Sequence, residues 1–255
     1  MAVIAVDWSG RADRGHAERI WVAEVAGGRL VALRNGRTRD AVVAHVRAAA
    51  ERHAELTVGF DFAFSLPAWW IRGQGFGDVR AVWRWAREHG EEVIRTQPPP
   101  FYGAPGSRAP DAGRRFRRTE QALRPAKPVF QLAGAGAVGV GSLRGMPHLA
   151  ELRGFSVWPF DPPGPHRVVE IYPRALTGAV DKSRWATRHR LLHERFGDQD
   201  RVLLERAAGS EDAFDAAVSA LVLGAHPGAL APAQDDTERL EGRIWTPGCA
   251  AAANA

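Results

Sequence analysis

The sequence predicts an α/β protein built on a mixed sheet flanked by helices, and three features near its N-terminus carry that prediction. Residues 2–8 and 56–62 are near-continuous apolar runs, the pattern of strands buried on both faces. Between them, β-rich runs at 19–25 and 29–33 are joined by Ala26-Gly27-Gly28, which is hairpin-turn chemistry and leaves no room for a crossover helix, so this pairing is antiparallel. Before the second buried run, Val42, Val43, Val46, Ala49 and Ala50 recur at helical spacing behind Thr38, an N-cap residue type.

The remaining elements follow in order. Residues 66–71 and 78–88 read as helices anchored by Trp69, Trp70, Trp83 and Trp85, residues 96–113 as a Pro/Gly-rich loop, and 116–123 as a short basic helix. After a glycine-rich passage and a short helical stretch near 147–152, residues 167–172 return to strand with Glu170 inside it. Residues 183–196 and 198–207 are amphipathic helices with acid or serine caps, and Ser210 caps a helix running to about Leu223. The expected organisation is a single domain over 1–255 with a helical and loop insertion or subdomain at about 64–165.

Composition narrows the class of protein. With 255 residues, 45% hydrophobic and 25% charged, the chain buries a large core, and disordered, collagen-like and coiled-coil classes drop out. The net charge is +5, and only Lys127 and Lys182 are lysines, so nearly all the basic residues are arginines, whose forks suit phosphate and carboxylate. The single cysteine, Cys249, excludes an internal disulfide and a cysteine-based zinc site, and a reducing cytoplasm is expected. Residues 1–7 lack a basic leader and their apolar run ends on an acid, so no signal peptide is expected there. The longest uncharged stretch, 216–234, contains Gly224, His226, Pro227 and Pro232, so it reads as a buried helix and its exit, with no membrane partner.

The sharpest chemical signal lies in the helix capped by Ser210. Asp212 and Asp215, three apart, share one helix face, and the residues behind Asp215 are small and apolar, so this end packs into the protein. Two carboxylates on such a face repel unless a cation sits there; the alternative is two solvated acids favouring the positive helix N-terminus. Asp7 and Asp61 fall late in the two buried strands. In order and setting, these acids resemble the carboxylate layout of ribonuclease-H-like nucleases, and the late-helix D-x-x-D resembles the branch that includes Holliday-junction resolvases. The resemblance implies that Asp7, Asp61, Asp212 and Asp215 are catalytic and hold two Mg²⁺ or Mn²⁺ ions about 4 Å apart, with Asp7 bridging them.

Five short blocks extend the resemblance over nearly the whole chain: residues 3–10 (VIAVDWSG), 58–67 (VGFDFAFSLP), 169–173 (VEIYP), 212–216 (DAFDA) and 241–245 (EGRIW). They are similar to the family called domain of unknown function 429, regarded as predicted ribonuclease-H-like nucleases. The chain departs from the wider fold at Asp61, where many active relatives carry Glu. Glu170 is a further candidate catalytic acid, or else is paired by an arginine such as Arg174 in a structural role. Glu120 is expected on a surface helix.

Arg108, Arg114, Arg115, Arg117, Arg118 and Arg124, interleaved with Phe101, Tyr102 and Phe116, form the densest basic region. Arg114, Arg115, Arg117 and Arg118 are the candidate nucleic-acid contacts, against the alternative of a solvated helix face. Residues 134–139 match G-x-G-x-x-G, yet no βαβ unit surrounds them and no helix is expected to start at Gly139, so a dinucleotide site is not expected. Residues 178–183 fail the phosphate-loop pattern at Asp181, and His189 and His193 share their helix with arginines and read as solvated rather than as zinc ligands.

The expected function is a metal-dependent nuclease hydrolysing phosphodiester bonds in nucleic acid. Two alternatives stay open: a non-catalytic nucleic-acid or nucleotide-binding module on the same fold, and a phosphotransferase of the actin and sugar-kinase type, disfavoured because no second Asp-x-Gly hairpin follows.

Overall fold

In the computed structural model, which describes residues 1–13, 15–123, 126–134, 136–228 and 230–249, the chain enters through the middle of its sheet. Ala2–Asp7 (β1), buried throughout, pairs antiparallel with Trp21–Ala26 (β2), which turns through Gly27 and Gly28 at positive φ into Arg29–Arg34 (β3). Both turn residues need the left-handed region, which is why glycines stand there. A 3₁₀ turn at His16–Arg19 takes the place of the first residue expected in β2. Arg39–Arg52 (α1), capped by the Thr38 hydroxyl accepting the Ala41 N–H, crosses back so that Leu56–Phe60 (β4) lies parallel to β1.

The 64–165 segment contributes Ala68–Gly73 (α2), Val79–Thr96 (α3), the short turns Ala112–Arg115 (α4) and Arg118–Ala122 (α5), Gly139–Leu149 (α6) and an unanticipated two-residue strand, Ser156–Val157 (β5). His166–Glu170 (β6) then inserts between β4 and β5, parallel to both, completing the order β3-β2-β1-β4-β6-β5. Pro173–Thr177 (α7), Trp185–Phe196 (α8), Arg201–Ala208 (α9) and Glu211–Ala225 (α10) follow, and Asp236–Glu241 (α11) was not legible in the sequence. Contrary to expectation a helix does start at Gly139. Close packing overrides its poor propensity: a Cβ there would lie 2.3 Å from the Val129 carbonyl oxygen, and one at Gly145 would lie 2.7 Å from the Phe62 ring.

Side chains alternate across the sheet, and each face has its own apolar core. Ala2, Ile4 and Val6 join Val58, Phe60 and Val168 in a core shared with α1, α3 and α6. Val3 and Ala5 join Val169 and Ile171 in a second core with α7, α9 and α10. The 64–165 segment therefore covers one face together with α1. Its contacts with α11 include the Ser65 hydroxyl donating to the Leu240 carbonyl at 2.5 Å and the Glu241 carboxylate, which accepts the Ala68 N–H at 2.7 Å and the Arg118 N–H at 2.6 Å. Among the described residues, no helix is long and apolar enough to cross a membrane.

Candidate functional site

Register places the first two acids side by side. β1 and β4 run parallel with Val6 opposite Phe60, and the Asp61 N–H donates to the Val6 carbonyl at 3.1 Å, so both strands end level on an aspartate. Asp7 continues the alternation of Val3 and Ala5 and points to the α10 face. α10 lies close to the sheet because β4 carries Gly59 beneath it: a Cβ there would come within 2.7 Å of Leu223 and 2.9 Å of Ile171. The helix start, fixed by the Ser210 hydroxyl accepting the Ala213 N–H at 3.0 Å, brings Asp212 and Asp215 to the same strand ends.

Electrostatics records the convergence. Burial raises the Asp7 carboxyl well above the usual range, and Asp61, Asp215 and Asp212 push it further in the same direction. Burial, then Asp215, takes Asp61 up to about 8. Burial takes Asp215 to about 6 against the opposing charge of Lys182, and it also raises Asp212, whose carboxylate lies 3.9 Å from the Arg19 guanidinium. Lys182 is the residue that sequence reasoning missed. Burial favours its neutral form, but Asp215, Asp7 and Asp61 more than offset that, and its ammonium donates to Asp215 Oδ2. The available signal was that it is one of only two lysines in an arginine-rich chain.

The acids fit a hard divalent cation in donor type, since all are carboxylates. Asp215 Oδ1 is buried without a hydrogen-bond partner, as an oxygen awaiting a ligand would be. The cluster is nevertheless open. Among the described residues, the His, Cys, Asp and Glu groups whose ligand atoms all lie within 4.8 Å of one another are elsewhere.

Glu170 faces away from the α10 side, yet it lines the same cavity as Asp61 and adds to the upward push on the Asp61 carboxyl. It follows Val168 on the opposite side of β6, where Arg117 grips it through Nη2 at 2.5 Å and Nη1 at 2.9 Å and the Phe64 N–H donates at 2.9 Å. Arg174 instead donates to the Val180 carbonyl. Arg117 also binds the Glu120 carboxylate at 2.8 Å and the Glu241 carbonyl at 3.0 Å. Arg117 is 1% and Glu120 2% exposed, which corrects two expectations: Arg117 is not a nucleic-acid contact, and Glu120 is not on the surface. Burial alone would lower the Arg117 pKa, but Glu170 and Glu120 hold it above its usual value.

The other candidate arginines each have a local partner. Arg118 is tied to Asp235 at 2.7 and 2.9 Å, Arg115 donates to the Pro110 carbonyl, and Arg114 lies 4.0 Å over the Trp69 ring. Arg124 lies outside the described residues. A cavity of about 400 Å³ beside Asp61 carries charge of both signs, with Arg11, Lys127 and Arg117 lining it together with Glu120 and Glu170, and with the Trp8, Phe62 and Tyr172 rings on its walls.

In comparisons with known proteins, no family model, curated protein or solved structure matches the chain. Function therefore rests on the site itself.

The raised carboxyls make a testable statement about stability. Asp61 holds its proton in the folded chain up to about 8, against an ordinary value of 3.8, so between those limits the folded state binds more protons and this group's contribution falls as the pH rises. In chelator, Asp61→Asn is expected to raise the unfolding free energy at roughly pH 8 by on the order of 2 kcal/mol and to flatten the decline from roughly pH 5 upward. Urea unfolding across that range checks it; an unchanged slope would mean that Asp61 ionises freely.

Proposed function

We propose that the protein is a metal-dependent phosphodiesterase that hydrolyses nucleic acid on a ribonuclease-H-like fold. The observation that carries this reading is the meeting of Asp7, Asp61, Asp212 and Asp215, from three separate segments, at one end of β1, β4 and α10, with Asp215 Oδ1 left unpartnered. Mutually repelling buried carboxylates are costly, and a divalent cation removes that cost. The antiparallel β1-β2-β3 ribbon followed by parallel β4 and β6, and the resemblance to domain of unknown function 429 at residues 3–10, 58–67 and 212–216, support the same reading.

Asp7, Asp61, Asp212 and Asp215 would hold Mg²⁺ or Mn²⁺, which when bound supplies Lewis acidity and an ionised water. The chain's own groups do the rest. Asp7, which feels the carboxylates of Asp61, Asp215 and Asp212 alike, would be the acid common to the whole site and would ionise when a cation binds. Lys182 balances that charge when no metal is bound. Arg11 and Lys127 attract a phosphate to the cavity mouth, and the Trp8, Phe62 and Tyr172 rings offer flat apolar surface to an adjoining base.

A second reading, a nucleic-acid or nucleotide-binding module without turnover, is favoured by the open spacing of the acids and by the Lys182 ammonium already seated on Asp215. Labelled single-stranded, duplex, hybrid and branched substrates, each in Mg²⁺, Mn²⁺ or chelator, separate the two. The expected result is cleavage of at least one substrate that chelator stops. Salt-sensitive binding with no cleavage of any substrate would leave the binding module standing.

A further inference from the structure

Away from the aspartates, α8 and α9 are joined by the short loop 197–200 and pack side by side. His189 and His193, one turn apart on α8, face Glu205 of α9. The same carboxylate oxygen, Glu205 Oε1, lies 3.0 Å from His189 Nε2 and 3.5 Å from His193 Nε2, and all three ligand atoms fall within 4.8 Å of one another. The two imidazole rings are 4.3 Å apart, and Trp185 lies 4.7 Å from His189, which limits how that ring can turn.

Two observations point to a ligand rather than to a chance meeting of polar groups. His193 Nε2 is shielded from solvent and, although 3.5 Å from Glu205 Oε1, lacks hydrogen-bond geometry to it. The spacing is also that of a coordination polyhedron. Metal–nitrogen and metal–oxygen bonds of about 2.0–2.1 Å at the tetrahedral angle set neighbouring donors about 3.3–3.4 Å apart. The observed 3.0 Å, a hydrogen bond in the metal-free chain, and 3.5 Å bracket that edge.

We propose that His189, His193 and Glu205 form a binding site for a transition-metal ion of the Zn²⁺ class, with the fourth position left to water. Two imidazole nitrogens and one carboxylate oxygen select Zn²⁺ over Mg²⁺ or Mn²⁺, so this site and the aspartate cluster call for different ions. The ion would clip α9 to α8. Because α9 leads through Gly209 straight into Ser210, the clip would also steady the entry of the helix that bears Asp212 and Asp215.

Chelator-treated full-length protein, titrated calorimetrically with Zn²⁺ in excess Mg²⁺, tests the site. The expected result is one equivalent bound with Kd of about 10 μM or tighter, a higher Tm, and a tetrahedral visible spectrum when Co²⁺ replaces Zn²⁺. The double variant His189→Ala/His193→Ala and the single variant Glu205→Gln should each weaken Zn²⁺ binding at least about tenfold, while Asp215→Asn leaves it intact. Metal-free melts of each variant are expected to show that the fold is retained, since the three side chains are each about one third or more exposed. Binding that is weaker than stated, that survives the double variant, or that disappears in Asp215→Asn overturns the proposal.

Discussion

Asp7→Asn is expected to abolish the proposed Mg²⁺- or Mn²⁺-dependent cleavage while leaving the protein folded. The expected loss in kcat is on the order of 10³-fold or more, because changing residues that merely support a metal ligand already costs roughly 10–100-fold. Asparagine keeps the shape of the side chain and removes its charge. The folded state should be unharmed, since burial and the Asp61, Asp215 and Asp212 carboxylates all oppose ionisation of Asp7. Two measurements made together decide it: cleavage of the best substrate by wild type and variant, and thermal melting of both in chelator. Cleavage that survives in the variant would assign the activity to a contaminating nuclease or to another site.

Arg117→Ala is expected to cost about 3–5 kcal/mol of stability, because it strands two buried carboxylates that share one guanidinium. Glu170 loses both of its contacts to Arg117 Nη1 and Nη2, and Glu120 loses its contact to Nε. Urea unfolding measures the loss directly. Protonation of Glu120, whose carboxyl burial already raises above its usual range, should recover part of it at low pH. A variant with wild-type stability and weaker nucleic-acid binding would return Arg117 to the surface role that its neighbours in sequence suggest.

These two residues also show what the sequence makes legible. Asp7 stood out because an acid at the end of an apolar strand is expensive, and strand alternation then says which face it shares. Asp61, Asp212 and Asp215 were readable on the same grounds, since each interrupts an apolar or small-residue pattern whose period is plain. Arg117 was not readable. It sits among Arg114, Arg115 and Arg118, and nothing local separates the one arginine that is buried from those at the surface. Its partner at 170 is fixed by the pairing of β4 with β6 and by the placement of α5, which are tertiary facts. Lys182 was hidden for the same reason, lying in a loop whose destination no periodicity announces. At α6 propensity pointed the wrong way, because the glycines at 139 and 145 serve contacts with Val129 and Phe62 that a one-dimensional reading cannot see.

The Arg117 knot has a further meaning for how the molecule comes to be built. It joins residue 64 to residues 117, 120 and 170 and closes on residue 241, whose carboxylate also receives the amides of residues 68 and 118. A ribosome delivers these pieces in order, so a nascent chain that has reached β6 already holds the cation and both of its anions but still lacks the group that caps two of the amides beside them. The layer containing α2 and α5 gains these last hydrogen bonds after α11 has been made. Closing such distant contacts is a late and cooperative event in folding. A chain halted before residue 241 would leave the buried amide of residue 68 without its acceptor.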